Sequence, residues 1–256
     1  PRIAWLVSAG NLDSMLNNYT AHKRIRSDDQ YSPGAEGGRR PNYATVVYAQ
    51  RCKEAAKDVP IIAGGVEVSM RRLAHYDYWS DKIRRSMIVD GRADLVVYGM
   101  GERPLLEVIR QLKSGVPIRE IRDVPGTGYA IGKKGRPHFV PDDLPEDAAW
   151  QDHLPEGVKV LPSYEDIKGD DPESKALFAT AQHTFHKEQT PGCAATLVQA
   201  HGSLTVVINP PQPPLTTREL DAIFALPYTK VPHPDYQGAR IPAYEMVRFS
   251  INVMRG

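Results

Sequence analysis

The chain has 256 residues, of which 41% are hydrophobic and 25% charged, with a formal net charge of +1. That length is enough to bury a sizeable core in one large domain or two small ones. The near-neutral charge gives no electrostatic case for nucleic acid or an anionic membrane surface as the main partner, and no run approaches the ~20 apolar residues of a membrane span. The apolar start, Pro1 to Gly10, is too short for a span and lacks the basic start and cleavage site of a signal peptide. Cys52 and Cys193, the only cysteines, give neither a ligand spacing nor a disulfide framework, and a cytoplasmic location is expected.

Residues 2–7 read as a buried strand ending at Ser8-Ala9-Gly10. Asp13 or Ser14 is placed to cap a helix with apolar positions Leu12, Met15, Leu16 and Tyr19. Residues 27–42 have neither helical nor strand periodicity, and a loop this long is usually functional or disordered. Tyr43 to Lys57 reads as a helix, residues 59–65 as a second buried strand with a glycine exit, and Asp94 to Gly99 as a third. A helix from Pro104 to Lys113 follows, with proline in its first turn and Gly115 beyond its end. Alternating strands and helices over the first ~125 residues predict an α/β fold with a mostly parallel sheet covered by helices. Ligands in such sheets sit outside the carboxyl ends of strands, so Gly10, Gly64-Gly65 and Gly99 should share one edge.

After Pro125 the pattern is less regular. Gly128 to Lys133 and His138 to Val140 read as a hairpin around Lys134-Gly135. Residues 141–157 read as loop and Pro172 to Gln189 as a helix, and residues 196–199 and 204–209 as two strands joined through His201-Gly202-Ser203. Residues 210–214, Pro-Pro-Gln-Pro-Pro, form a stiff linker. Thr216 or Thr217 should cap a short helix through Phe224, residues 227–242 read as loop, and Glu245 to Met254 as a final strand. The expected domains are 1–125 (α/β), 126–214 (irregular α+β) and 215–256 (linker and first strand of a further domain).

Several positions carry chemistry. Ser8-Ala9-Gly10-Asn11 and Gly99-Met100-Gly101 precede helices, where backbone N–H groups can meet an anion, although neither completes G-x-G-x-x-G and both also serve as plain strand-to-helix turns. His75 to Asp81 concentrates aromatic and titratable groups behind Arg71-Arg72. That grouping suits either a ligand, stacked on rings and clamped by arginine, or a helix docking another domain. Arg39-Arg40 near Glu36 lies in the glycine-rich loop, as a lid or as disordered chain. Glu67 and Glu102 follow glycine exits and can accept hydrogen bonds from a hydroxyl or amine. His183 and His186 have metal-compatible spacing but no third ligand nearby; His201 and His233 receive no role.

The stretches SAGNLDSMLNNYTA (8–21), YSPGAEGGRRPNYA (31–44), GGVEVSMRRLAHYDYWSDKIRRS (64–86), ADLVVYGMGERPLLE (93–107), NPPQPPLTTRELDAIFALPYTKVPHP (209–234) and IPAYEMVRFSINVMRG (241–256) resemble the YgiQ-like family of radical S-adenosylmethionine proteins. The resemblance implies a Rossmann-like, cobalamin-domain-like first half and a final strand leading into a radical barrel. It also implies a following C-x3-C-x2-C loop that holds a 4Fe–4S cluster with S-adenosylmethionine. Those cysteines are absent here, so the chain is expected to be a piece lacking sequence at both ends, with no cofactor or radical activity by itself. Its expected partners are the downstream radical domain and a small-molecule substrate of unknown identity. D-x-H-x-x-G is missing, so cobalamin is not expected; nor is nucleic acid. In the parent, Asn11, Asp13, Arg71, Arg72, His75, Tyr76, Asp77, Tyr78, Trp79 and Glu102 are the candidate substrate contacts, for anion clamping, stacking and hydrogen bonding, and none is a nucleophile or cluster ligand. The alternative is a non-catalytic Rossmann-like module that binds a small molecule or protein.

Overall fold

A computed structural model describes residues 2–132, 135–141, 143–145 and 150–251, except the side chains of residues 151 and 152. In chain order the elements are β1 (Trp5–Val7), α1 (Ser14–Asn18), α2 (Ala44–Ala55), β2 (Ile61–Ala63), α3 (Val66–Met70), β3 (His75–Asp77), β4 (Lys82–Arg84), α4 (Met87–Gly91) and β5 (Leu95–Val97). They continue with α5 (Glu102–Lys113), β6 (Thr127–Gly132), β7 (Val158–Leu161), α6 (Tyr164–Ile167), α7 (Pro172–Lys187), β8 (Thr196–His201), β9 (Leu204–Ile208), α8 (Thr217–Phe224) and α9 (Pro242–Val247). The chain divides into two compact units, one of Pro1–Asn11 and Thr45–Pro214, the other of Leu12–Ala44 and Leu215–Gly256.

The first unit is built on a seven-stranded sheet of order β1-β2-β5-β6-β9-β8-β7. The strands β1, β2 and β5 run parallel, with Leu6 opposite Ile62 and Ile62 opposite Leu95. Beyond β5 the sheet turns antiparallel through β6, β9 and β8, and β7 closes it parallel to β8. Successive residues of a strand face opposite sides, and here both sides are core. Ile61, Ala63, Val96, Leu197, Val206 and Ile208 pack on one face with Val68, Met87 and Ile88. Ile62, Leu95, Val97, Tyr129, Val198 and Val207 pack on the other with Val108. Burial on both faces explains why these strands read as continuous apolar runs. On the second face α5 presents Leu105, Val108, Ile109 and Leu112, the i, i+3, i+4, i+7 stripe of an amphipathic helix.

The sheet runs through the boundary drawn at residue 125, since β6, β7, β8 and β9 all join it. The expected hairpin of 128–133 with 138–140 does not form. The strand β6 pairs instead with β5 and β9, and 138–140 is turn; Lys133 and Lys134 lie outside the described residues. Gly128 accounts for this pairing. A Cβ there would sit 2.5 Å from Ile208 Cδ1, 3.1 Å from the Val207 carbonyl oxygen and 3.2 Å from Val96 Cγ2, so glycine lets β6 lie close between its neighbours. Residues 75–84 form the two-stranded hairpin β3–β4, not a docking helix. Asp77 closes its turn by accepting hydrogen bonds from the Ser80 backbone N–H (3.0 Å) and hydroxyl.

Asn209 ties the end of β9 to the segment before β6. Its Nδ2 donates to the carbonyls of Arg122 (2.8 Å) and Val124 (3.1 Å) and to the Thr127 hydroxyl (3.0 Å), and the Tyr98 hydroxyl donates to its backbone carbonyl at 2.5 Å. The side chain is 3% exposed. Asn209→Ala takes the Asn209 donor from the Arg122 carbonyl, while the Val124 carbonyl keeps the Thr127 hydroxyl (2.6 Å), at an expected cost of about 1–3 kcal/mol. Urea unfolding measures this; a change under about 0.5 kcal/mol would place the variant among ordinary surface substitutions and contradict the role.

In the second unit α1 is capped by Asp13, whose Oδ1 accepts from the N–H groups of Met15 (2.9 Å) and Leu16 (3.2 Å). The loop after it contains the bridges Tyr19–Ile25 and Asp28–Glu36 and a short 3-10 turn at Pro33–Ala35. Gly34 N–H donates to the Arg240 carbonyl (2.7 Å) and Ala243 N–H to the Gln30 carbonyl (2.9 Å), joining loop and C-terminal segment. The capping box Thr216/Glu219 starts α8. The strand expected over Glu245 to Met254 is overturned for the described part: Pro242 opens the helix α9, and Glu245 pairs with Arg248 at 3.1 Å. A strand needs a neighbour for its N–H and C=O groups, whereas a helix satisfies them internally. Asn252, Val253 and Met254 lie outside the described residues.

Candidate functional site

Because β1, β2 and β5 run parallel, their carboxyl ends open on one edge. There Leu6, Val7, Ser8, Ala63, Gly64, Gly65, Val97, Gly99, Gly101, Glu102 and Leu105 line a cleft of about 380 Å³. The glycines make the room. Gly65 has φ +91°, and a Cβ on it would lie 2.6 Å from Ser8 Oγ; a Cβ on Gly101 would lie 3.0 Å from Val97 Cγ1. Ser8 Oγ accepts from Gly10 N–H (3.1 Å), and Ser69 Oγ accepts from Gly99 N–H (3.2 Å), which pins both loops. The cleft is thus an apolar slot bounded by Leu6 and Leu105, with the Ser8 hydroxyl and the Glu102 carboxylate as its polar side chains. Gly65→Ala combines an unfavourable φ with the Ser8 contact and should cost about 1–3 kcal/mol, read as a lowered urea midpoint.

Behind Gly99, Arg72 is buried in an aromatic sandwich. Its guanidinium carbon lies 4.2 Å from the Tyr98 ring centre and 4.4 Å from that of Phe185, and Nη1 donates to the Ser69 carbonyl. Burial lowers its pKa to about 10 and raises that of Tyr98, so at neutral pH both keep their usual charge. At the start of β3, His75 Nδ1 meets the Leu73 carbonyl at 3.1 Å. Burial pushes its pKa down to about 4, against the pull of that carbonyl, with Arg71, Asp77 and Arg84 as charged neighbours. His201, 3% exposed, stacks on Tyr164 (5.8 Å between centres) and is also lowered by burial to about 4.

Of the sequence candidates, Glu102 lines the cleft and Asn11 is exposed just beyond Gly10. Arg71 and Arg72 are buried. The hairpin group does not line the cleft. Tyr76 donates its hydroxyl to Asp81 and faces another cavity with Lys82, Tyr164, Lys168 and Lys175, while Tyr78 and Trp79 pack edge-to-face at 5.2 Å. Asp13 caps α1, and Glu67 caps α2 by accepting from Thr45 N–H at 3.1 Å. Arg39 pairs with Glu36 at 2.5 Å, and Arg40 with Asp29 at 3.6 Å. The sequence reading missed Tyr98 and Phe185 because the three members of the sandwich come from separate elements, and no spacing signals them.

The described residues do not fit an iron–sulfur cluster. No group of three or more His, Cys, Asp or Glu side chains among them is arranged to hold a metal, and Cys52 and Cys193 are both free thiols. Nor is any described helix long and apolar enough to cross a membrane.

The family model described as Radical SAM N-terminal matches residues 1–250. The chain is 47% identical over 293 aligned residues to UPF0313 protein YgiQ of Escherichia coli (strain K12), covering 100% of this chain and 39% of that protein. It is 46% identical to UPF0313 proteins of Shewanella oneidensis and of Bradyrhizobium diazoefficiens, covering 100% of this chain and 37% and 38% of theirs. The chain therefore spans about two fifths of the length of these relatives. No solved structure matches it. A match over nearly the whole chain, together with these identities, shows that the chain belongs to the YgiQ-like radical SAM family and corresponds to its N-terminal region.

Proposed function

We propose that the intact protein is a radical S-adenosylmethionine enzyme in which this region holds the substrate, in the cleft at the carboxyl edge of β1, β2 and β5. The observation that carries the reading is the cleft itself, in the position where parallel α/β sheets bind ligands. We read this parallel half as Rossmann-like, and the cytoplasm as its location. Family membership implies a 4Fe–4S cluster and S-adenosylmethionine in the intact protein, where the pair supplies a radical; both would be held by residues other than those described here. Cobalamin is not part of this reading, because the sequence lacks D-x-H-x-x-G. Glu102 and Ser8 would orient the substrate by accepting and donating hydrogen bonds, Leu6 and Leu105 would exclude water, and Asn11 would close the rim. Arg71, Arg72, His75, Tyr76, Asp77, Tyr78 and Trp79 would act behind the cleft, as support or as the face that meets the following domain.

The test uses the full-length protein, reconstituted anaerobically, with 5′-deoxyadenosine formation stimulated by a small-molecule cell extract as readout. Gly65→Val, which fills the slot, and Glu102→Gln should each reduce the stimulated rate at least ~10-fold, the size expected for lost positioning, and leave the unstimulated rate unchanged. Unchanged stimulation in both variants rejects the cleft. Failure of the reconstituted parent to cleave S-adenosylmethionine rejects the enzyme. A second reading, a non-catalytic binding module, draws on the cleft being lined wholly by residues 6–105 of one unit; it predicts ligand retention by this chain alone.

A further inference from the structure

We propose that the second unit holds a separate site for a small ligand bearing an oxyanion, carboxylate or phosphate, in the polar cavity of about 280 Å³ lined by Asn17, Arg26, Asp29, Gly38, Arg40 and Asn42. This cavity shares no residue with the cleft at the strand edge, and it is built from the long loop after α1 that the function above leaves unused. Loops of this length in compact domains commonly serve a purpose.

The first argument is a buried donor. Asn17, in the last turn of α1, is 7% exposed and lines the cavity, and its Nδ2 meets no acceptor among the described residues. A buried N–H left without an acceptor costs about 1–3 kcal/mol, so such a group calls for a partner. The cavity into which Asn17 is built is where an acceptor fits.

The second argument is charge. Arg26 Nε donates to the carbonyls of Leu16 (3.3 Å) and Tyr19 (3.1 Å), which anchors the side chain at the cavity. Its guanidinium forms no ion pair with a carboxylate among the described residues. The acidic side chains of the lining are already engaged. Asp29, 3% exposed, accepts from Tyr31 N–H at 2.9 Å and lies 3.6 Å from Arg40 Nε, and Asp28 accepts from the Gln30 amide. The lining carries two arginines and two carboxylates, so its formal charge is balanced, and among the described residues the Arg26 guanidinium and the Asn17 amide are donors left to meet an acceptor.

The third argument is that the walls are fixed. Asn18 Nδ2 donates to the Arg40 carbonyl (3.1 Å) and to Asn42 Oδ1 (2.9 Å), and Asn42 Nδ2 donates to the Tyr19 hydroxyl (2.8 Å). A Cβ on Gly37 would lie 2.9 Å from the Ser27 carbonyl oxygen, so the loop closes backbone on backbone. Gly38, at φ +80°, leaves open space on its other side. A cavity held by its own hydrogen bonds loses little entropy when a ligand enters.

The experiment titrates the full chain with inorganic phosphate and, separately, with acetate, and follows the Asn17 side-chain amide by nitrogen–proton NMR. A saturable shift below ~10 mM, about 3 kcal/mol of binding, is expected with at least one probe; a preference for phosphate or for acetate names the ligand's headgroup. Asn17→Asp, which turns the donor into a repelling carboxylate, should weaken binding roughly 10-fold or more, and Arg26→Gln should do the same. If Asn17→Asp fails to fold, Asn17→Ala and Arg26→Gln, checked by an unchanged melting temperature, give the same reading. No saturable shift with either probe, or equal affinity in the folded variants, overturns the proposal.

Discussion

Arg72→Ala should lower the stability of the first unit by about 3–5 kcal/mol, as a cavity term for the lost stem plus a desolvated cation–π term. Arg72 is 6% exposed and its guanidinium lies between the Tyr98 and Phe185 rings, with no ion pair to a carboxylate among the described residues. Two rings and the Ser69 carbonyl are its compensation for leaving water. Arg72→Lys keeps the charge but loses the flat surface that fills the gap between rings, so an intermediate loss of about 1–2 kcal/mol is expected. Arg72→Met separates packing from charge. If Met is as stable as Arg in urea unfolding, the cation adds nothing and the sandwich is held by shape alone.

Acid should destabilise the first unit from about pH 6.5 downward. His75 and His201 both have folded-state pKa values near 4, lowered chiefly by burial, against an ordinary value of 6.5. The native state therefore keeps both rings neutral while the unfolded chain takes up protons below pH 6.5. The stabilisation is complete above that value and is lost as pH falls toward 4, by up to roughly 3 kcal/mol for each ring. Around His201 the charged neighbours are Glu165, Asp90, Arg85 and, when protonated, His75; around His75 they are Arg71, Asp77 and Arg84. Urea midpoints measured from pH 7 to pH 4 should fall steadily. His201→Phe should keep the stack on Tyr164, remove two ring nitrogens that meet no hydrogen-bond partner among the described residues, and shrink the pH dependence by about half. A slope unchanged in His201→Phe would show that this ring is not the titrating group.

The local elements were legible wherever one short stretch holds all the information. Apolar runs ending in glycine marked β1, β2 and β5, Pro104 and Gly115 marked α5, and Thr216 caps α8 from its side chain. Parallel strands put their exits on one side, so the placing of Gly64, Gly65, Gly99 and Glu102 on one cleft followed from the α/β pattern. The family was legible too, because runs such as AHYDYWSDK are long and of unusual composition. The roles of Asp13 and Glu67 were harder to read. A carboxylate beside a glycine turn looks alike in sequence whether it meets a ligand or a helix's free N–H groups, and here both cap helices.

By itself, then, the sequence determined the helices α2, α5, α7 and α8, the strands β1, β2, β5, β8 and β9, and the family, since periodicity, capping and motif are properties of neighbouring residues, while α3, β3, β4, α4, β7 and α6 were not read from it. The tertiary structure alone decided which strands sit side by side. It brought β6 between β5 and β9 through Gly128, set Arg72 between Tyr98 and Phe185, left the Asn17 amide in a polar cavity, and made a helix of residues 242–247. Each of these outcomes depends on contacts between distant residues, and pairing over long separations is chosen by packing and hydrogen-bond satisfaction, not by local propensity.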